Sequence, residues 1–175
     1  MSPVAVLVGP PGAGKSTVAA LVAERLGVAV RDTDADVVAA TGRTVTEIFT
    51  EDGEPAFRAL ERAAVLAGLD EHDGVLALGG GAVLAGETRA ALRGHRVVFL
   101  AVGMAEGVRR TGLSSARPLI TGVNPRATFK ALLDARLPLY REVATVEIAT
   151  DDLDAEAVAD AVLAALRAAG APSGH

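Results

Sequence analysis

Five short runs of apolar residues recur along the chain, and each is continuous rather than alternating with polar residues. Continuous apolar runs are typical of parallel strands that are covered on both faces. Between these runs lie segments whose apolar residues recur at helical spacing. Strands that alternate with helices indicate an open α/β domain. The predicted strands are Val4–Val8, Val28–Arg31, Val75–Leu78, Arg96–Leu100 and Thr145–Ala149.

The helices that connect these strands are marked by their ends. A first helix ends at Gly27, because glycine is the usual residue just beyond a helix C-terminus. Thr44 and Glu47 form a candidate capping box, and Pro55 suits the first turn of a helix that runs to about Leu69. Alanine-rich helices are also predicted over residues 83–92, 105–110, 127–140 and 155–168.

Length and composition limit the protein classes that remain. The chain has 175 residues, which corresponds to one domain, and 50% of them are hydrophobic, which excludes a disordered chain. No apolar run reaches the roughly 18 residues that a membrane span needs. Cysteine is absent, which excludes disulfides and thiolate chemistry. We therefore predict a single cytoplasmic domain over residues 1–175, with a disordered tail at about 169–175.

Charge is unevenly distributed. The net charge is −5, yet residues 107–141 carry seven basic residues and one acidic residue. An acidic protein is not expected to bind nucleic acid through general phosphate attraction, and no membrane partner is expected. A local basic segment suits a small, highly charged anion. Within it, residues 111–125 are rich in Gly, Ser and Pro without a clean period, and we predict a mobile lid that carries Arg117.

Residues 9–16 carry the most specific motif of the chain. They read Gly-Pro-Pro-Gly-Ala-Gly-Lys-Ser, which satisfies the phosphate-loop pattern between a strand and a helix. Lys15, one of only two lysines, would lie between the β- and γ-phosphates, and the Ser16 hydroxyl would bind Mg²⁺. A GTPase is excluded because its Asn-Lys-x-Asp motif is missing: the single asparagine, Asn124, precedes a proline. A small kinase remains.

The acceptor side is predicted at the ends of the second and third strands, where open α/β sheets bind ligands. Of Asp32 and Asp34, one carboxylate could hold Mg²⁺ through water while the other accepts a hydrogen bond from the attacking hydroxyl, although such a pair also forms turns and helix caps. Arg58 and Glu61 share a helix face, so Glu61 could orient Arg58 toward a ligand carboxylate, or the two could form a surface ion pair. Residues 79–81, three glycines, would let a substrate approach the backbone or form a simple turn.

Taken together, these motifs closely resemble those of shikimate kinase, from about Val4 to Ile148. The resemblance depends on their order and spacing. It implies a three-layer P-loop kinase with a five-stranded parallel sheet in the order 2-3-1-4-5, flanked by helices, plus a mobile lid. It also implies transfer of the ATP γ-phosphoryl group to the shikimate 3-hydroxyl, on the route to chorismate and the aromatic amino acids. The motifs are residues 9–17, 32–34, 57–58 with Glu61, 78–81, 117–119 and 136–140.

The resemblance also assigns residues to roles. It implies a substrate-binding segment at about residues 32–61 and a monomeric protein. Catalytic residues would be Lys15, Asp34 and Arg117, and the Mg²⁺ site would involve Ser16 and Asp32. ATP-binding residues would be Gly12, Ala13, Gly14, Lys15, Ser16, Thr17, Arg110 and Arg117. Shikimate-binding residues would be Asp34, Phe49, Phe57, Arg58, Glu61, Gly79, Gly80, Gly81 and Arg136.

One segment departs from the family pattern, and two alternatives stay open. Residues 150–155 are acidic and lack the basic residue or proline that family members commonly offer near adenine, which predicts weaker ATP affinity or looser base preference. A related kinase such as gluconate kinase is one alternative, against which the paired arginines argue. A catalytically inactive nucleotide-binding module is the other, against which the presence of Lys15, Ser16, Asp34 and Arg117 argues.

Overall fold

A five-stranded parallel sheet forms the centre of the protein. The structure, a computed structural model, describes residues 2–11, 13–102 and 125–170. The strand order is β2-β3-β1-β4-β5, and every neighbouring pair is parallel. This order is the one predicted from the family resemblance. The strands are β1 (Ala5–Val8), β2 (Val30–Asp32), β3 (Val75–Ala77), β4 (Val97–Ala101) and β5 (Val146–Ala149).

Helices cover both faces of this sheet, with one further group beside it. A 3₁₀ helix at Ala82–Leu84 follows β3. The α-helices of the described residues are α1 (Lys15–Leu26), α2 (Thr33–Thr41), α3 (Val45–Asp52), α4 (Glu54–Glu71), α5 (Gly86–Ala91), α6 (Pro125–Val143) and α7 (Ala155–Gly170). No helix among them is both long and apolar enough to cross a membrane.

The core is divided between the two faces because successive strand residues point in opposite directions. Ala5 and Leu7 of β1 face a cluster that includes residues of α1 and α7. Val6 and Val8 face the other cluster, which includes residues of α4 and α6. Each face of the sheet therefore buries an apolar layer under helices. The three-layer architecture expected from the resemblance is confirmed.

The segment from Asp32 to Glu61 forms a small unit beside the sheet. A separate apolar cluster joins Val37 of α2, Ile48 of α3 and Phe57 of α4. The helix α3 is capped by its own sequence: the Thr44 hydroxyl accepts a hydrogen bond from the Glu47 N–H at 3.1 Å, as the predicted capping box requires. This unit stands over the end of β2, so it forms one wall of the space above the sheet edge.

The structure differs from the predicted elements in two places. Residues 83–92 do not form one helix, because the 3₁₀ turn at Ala82–Leu84 and α5 are separated by Ala85. The helix α2 was not predicted as an element. It starts directly after β2 because an Asp32 carboxylate oxygen accepts hydrogen bonds from the Asp34 and Ala35 N–H groups, at 2.8 and 3.2 Å. The predicted helix at 105–110 and most of the predicted lid lie outside the described residues.

Candidate active site

The phosphate loop joins β1 to α1 at the carboxyl edge of the sheet. Gly14 has φ +82°, a left-handed conformation that glycine adopts at no steric cost, and α1 starts at the next residue. The Lys15 side chain is only 9% exposed, and its Nζ donates to the Gly9 and Pro10 carbonyls at 2.8 and 3.1 Å. The loop therefore places a buried ammonium group beside the N-terminus of a helix, which is an arrangement suited to phosphate.

Ser16 and Asp32 meet across the end of the sheet. The Ser16 hydroxyl donates to Asp32 Oδ2 at 2.8 Å, although the two residues are far apart in the sequence. A hydroxyl and a carboxylate are hard oxygen donors, which Mg²⁺ prefers, so these residues fit that ion. The described residues contain no group of three or more His, Asp or Glu side chains arranged for a metal. Nucleotide phosphates and water would therefore complete the Mg²⁺ coordination shell.

A cavity of about 300 Å³ lies between the phosphate loop and the turn after β5. The acidic segment 150–155 forms one of its walls. Asp154 does not act there as a simple surface charge, because its carboxylate accepts a hydrogen bond from the Ala157 N–H at 2.8 Å and caps α7. The weaker ATP affinity or looser base preference stays a prediction. The lining residues are Ala13, Gly14, Thr17, Val18, Thr150, Leu153, Asp154, Ala155 and Val158.

The turn after β3 brings two carboxylates to one point. A Cβ atom added at Gly79 would lie 2.6 Å from Asp34 Oδ1 and 2.8 Å from Glu61 Oε2, distances too short for a side chain. The Gly79 N–H donates to the Thr33 hydroxyl at 3.2 Å, which ties this turn to the start of α2. Glycine is thus required here by the close approach of the two acids.

Arg58 lies above the same turn and is held by two acids of its own helix. Its guanidinium donates to Glu61 at 2.9 Å and to Glu54 at 3.1 Å. Glu61 is 3% exposed and the Arg58 side chain 14%, so this pair is largely buried and is not the surface ion pair that the spacing also allowed. Burial raises the pKa of the Glu61 carboxyl, and the Arg58 guanidinium opposes that rise. A Cβ atom at Gly81 would lie 2.3 Å from Arg58 Nη1.

Two aromatic rings flank this guanidinium. The Phe49 and Phe57 ring centroids are 4.9 Å apart, and the Arg58 Cζ lies 5.7 and 5.3 Å from them. Contacts of this kind restrict an arginine to one orientation. The prediction that Glu61 orients Arg58 therefore has a geometric basis, to which the rings add a second constraint.

Arg136 lies on a different element, α6. Its side chain is buried, at 5% exposure, and its Nη1 has no hydrogen-bond partner within the described part of the chain. Burial lowers the pKa of this guanidinium, and the Tyr140 oxygen opposes the fall. A buried donor without a partner is costly, so it marks a position where an anionic ligand group would compensate.

The structure brings most of the predicted residues to one sheet edge, but not all can be located. Gly12, Arg110 and Arg117 lie outside the described residues. Four contributing residues were not predicted: Pro11 against Gly80, Thr33 bonded to Gly79, Glu54 paired with Arg58, and Tyr140 bonded to Gly80. Pro11, Thr33 and Tyr140 lay inside quoted motifs, but the sequence assigned them no role. Glu54 had a local signal, because it lies four residues before Arg58 on the same helix. The other three contacts had no signal in the sequence, because their partners come from distant elements.

A phosphate loop, a serine–aspartate pair suited to Mg²⁺ and an acceptor pocket at the same sheet edge define a P-loop kinase of small molecules. A family model for shikimate kinase matches residues 11–167. The chain belongs to the shikimate kinase family. It is accordingly a kinase that uses ATP with Mg²⁺ to phosphorylate shikimate, which favours the main prediction over both alternatives.

Individual relatives agree with this assignment. A shikimate kinase of Saccharopolyspora erythraea is 68% identical over 97% of this chain and 99% of its own length. One of Streptomyces avermitilis is 60% identical over 94% of this chain and 95% of its own. Among solved structures, the Acinetobacter baumannii shikimate kinase in complex with shikimate has a TM-score of 0.93 at 35% identity. That likeness covers 98% of this chain and 96% of the Acinetobacter chain.

Proposed function

We propose that this kinase holds shikimate between α4, the turn after β3 and α6, with its carboxylate on Arg136 and Arg58 and its 3-hydroxyl on Asp34. The buried Arg136 guanidinium, whose Nη1 lacks a partner among the described residues, is the observation that carries this proposal. A substrate carboxylate would satisfy that donor and neutralise its charge at the same time. The complex of the Acinetobacter protein with shikimate supports the same ligand.

The two arginines have different parts in this proposal. Arg58 already pairs with Glu54 and Glu61, so the substrate carboxylate would complete an existing charge network. Arg136 has no acidic partner within salt-bridge distance in the described ranges. An anion that binds to Arg136 therefore gains more binding free energy than one that binds to Arg58. We therefore assign most of the carboxylate affinity to Arg136 and the orientation of the ring to Arg58, Phe49 and Phe57.

Asp34 is the group that would meet the attacking hydroxyl. It lies beside Gly79, where only a glycine leaves room, and close to the phosphate loop through the Ser16–Asp32 pair. In the proposed step the 3-hydroxyl oxygen bonds to the γ-phosphorus and the bond to the bridging oxygen of ADP breaks. The hydroxyl proton passes to Asp34. Because such transfers have a loose transition state, orientation of the hydroxyl is the larger contribution.

The phosphate side would neutralise the transferred charge. Lys15 would exchange its carbonyl contacts for phosphate oxygens, and Gly12, Ala13, Gly14 and Thr17 complete the proposed ATP site. Ser16 and Asp32 would hold Mg²⁺, which would supply charge neutralisation to the bound phosphates. Arg117 and Arg110, proposed from the family resemblance, would contact the transferred phosphoryl group and adenine. If so, Arg117→Ala lowers kcat far more than it raises the shikimate KM.

The proposal is tested by a coupled assay for ADP with shikimate, quinate and gluconate as acceptors. We expect turnover with shikimate, much less with quinate and none above ATPase background with gluconate. Background turnover with shikimate would overturn the proposal. In the same assay, omission of Mg²⁺ should abolish turnover, and a Ser16→Ala variant should need a higher Mg²⁺ concentration.

We further propose that the protein acts as a cytoplasmic monomer. The cytoplasm is the default compartment for a chain without cysteine, and the monomer is an expectation from the family resemblance. Light scattering of the eluted protein checks the monomer, and cell fractionation checks the compartment. A stable dimer at micromolar concentration or recovery in the membrane fraction would contradict it.

A further inference from the structure

The hydroxyl of Tyr140 connects two parts of the acceptor pocket that come from different elements. Tyr140 lies on α6 and its side chain is completely buried. Its hydroxyl donates to the Gly80 carbonyl at 2.5 Å, in the turn after β3. Its position does not depend on that turn, because the ring stacks on Phe99 of β4 with centroids 5.0 Å apart. The packing of the ring in the sheet core thus fixes the position of the hydroxyl, and the hydrogen bond from the hydroxyl fixes the turn after β3.

Arg136 lies one helical turn before Tyr140, so both side chains share one face of α6. Burial raises the pKa of Tyr140 to about 12, and Arg136 opposes that rise. The tyrosine oxygen reciprocally opposes the lowering of the Arg136 pKa by burial. Both side chains are buried on that face, so the phenol and the guanidinium are neighbours. The hydroxyl hydrogen points to Gly80, so a lone pair remains for Arg136.

Gly80 is enclosed on its other side by the phosphate loop. A Cβ atom added there would lie 3.0 Å from Pro11 Cδ. The Gly80 peptide therefore lies between Pro11 and the Tyr140 hydroxyl, and the backbone of this turn has little room to move. A turn restrained in this way keeps one backbone conformation, which reduces the ordering that a ligand must otherwise supply.

We propose that Tyr140 is a positioning residue for the acceptor substrate, which holds the Arg136 guanidinium and the Gly80 peptide in one fixed relation through its hydroxyl group. This inference rests on the proposed function, because it assumes that Arg136 binds the shikimate carboxylate. Tyr140 itself need not touch the substrate. Its effect is on the preorganisation of the carboxylate site and not on phosphoryl transfer.

The variant Tyr140→Phe removes the hydroxyl and keeps the ring on Phe99. We expect the shikimate KM to rise about tenfold, with kcat and the ATP KM within about twofold of wild type. A matched control is Thr145→Val, since the Thr145 hydroxyl also donates to a backbone carbonyl, that of Val97 at 2.9 Å. That bond lies at the opposite edge of the sheet, so Thr145→Val should leave all three constants unchanged.

A double-mutant cycle with Arg136→Ala tests whether the hydroxyl acts through that arginine. If it does, Tyr140→Phe should raise the shikimate KM much less in the Arg136→Ala background than in wild type. A shikimate KM within about twofold of wild type in Tyr140→Phe contradicts the inference, as do equal rises in both substrate KM values. Independent, multiplicative effects of the two substitutions also contradict it. A different result would contradict the proposed function itself, namely an unchanged shikimate KM in Arg136→Ala alone.

Discussion

The two halves of the active site are built in opposite ways. The phosphate side is one continuous stretch, in which backbone groups and a single lysine converge because a glycine-rich turn feeds a helix. The acceptor side is assembled from α2, α4, the turn after β3 and α6, and its contacts are made by buried charged side chains. One half thus depends on local backbone conformation, and the other on the packing of distant elements.

This difference predicts where each half is sensitive to change. A phosphate site built from backbone groups tolerates most nearby substitutions, but it loses its function when its single charged side chain is removed. In a pocket of buried charged side chains, favourable pairing offsets the cost of removing each charge from water. When one partner is lost, the remaining charge keeps its desolvation cost without that compensation. The following substitutions test that contrast, in order of decreasing expected effect.

Lys15→Met should have the largest effect. It preserves side-chain length and removes the only charge that the phosphate loop itself supplies, so we expect kcat/KM to fall by at least about 10³-fold. Steady-state kinetics with both substrates measure it. Lys130→Met is the matched control, because Lys130 is exposed, pairs only with Asp134 among the described residues and should show wild-type kinetics. A small loss of kcat/KM in Lys15→Met would mean that the backbone groups of the phosphate loop alone suffice for catalysis.

Arg136→Ala should follow. Loss of a buried, charge-assisted interaction should weaken shikimate binding by ~2–4 kcal/mol, while ATP binding stays unchanged. Binding titrations with each substrate measure the two effects separately. Arg141→Ala, on the same helix but with an exposed side chain paired to Glu147, serves as the control. Equal losses for both substrates would remove the distinction between the two halves of the site.

Gly81→Ala tests the packing of the acceptor side without removing any charge. The added methyl group would lie 2.3 Å from Arg58 Nη1, whereas the Gly81 backbone, at φ −98°, accepts alanine without strain. We expect the displaced guanidinium to raise the shikimate KM about tenfold and to spare the ATP KM. Gly86→Ala, whose Cβ would be 3.5 Å from Arg89, is the control and should behave as wild type.

Glu61 should show the smallest effect, on stability. Burial raises the pKa of Glu61 in the native protein above 4.5, the ordinary value that applies to the unfolded chain. At pH values between the unfolded and the native pKa, the native carboxyl therefore binds more protons than the unfolded one. The free energy of unfolding should therefore fall as pH rises through that window, and Glu61→Gln should remove this slope. Urea unfolding at a series of pH values measures it. Glu71→Gln, exposed on the same helix, should keep the wild-type slope.

Particular residues show how far sequence reasoning extends into the site. The phosphate loop, the five strands and the Arg58–Glu61 pair follow from local spacing, because each depends on residues within a few positions. The helix α2 was missed because Asp32 is at once the end of a strand and the cap of a helix. The Ser16–Asp32 contact was expected only as shared Mg²⁺ ligation, and the structure adds a direct hydrogen bond between them.

The sequence by itself determined the alternation of strands and helices, the phosphate loop and the chemical types of the acceptor residues. These properties depend on local periodicity and on motifs whose spacing is set by backbone geometry. Only the tertiary structure decided that Glu61 beside Arg58 is buried, that the Arg136 guanidinium is buried, and that Tyr140 bonds to Gly80. The physical reason is that burial and pairing arise between elements far apart in the chain, and no local pattern encodes which distant partner a side chain meets.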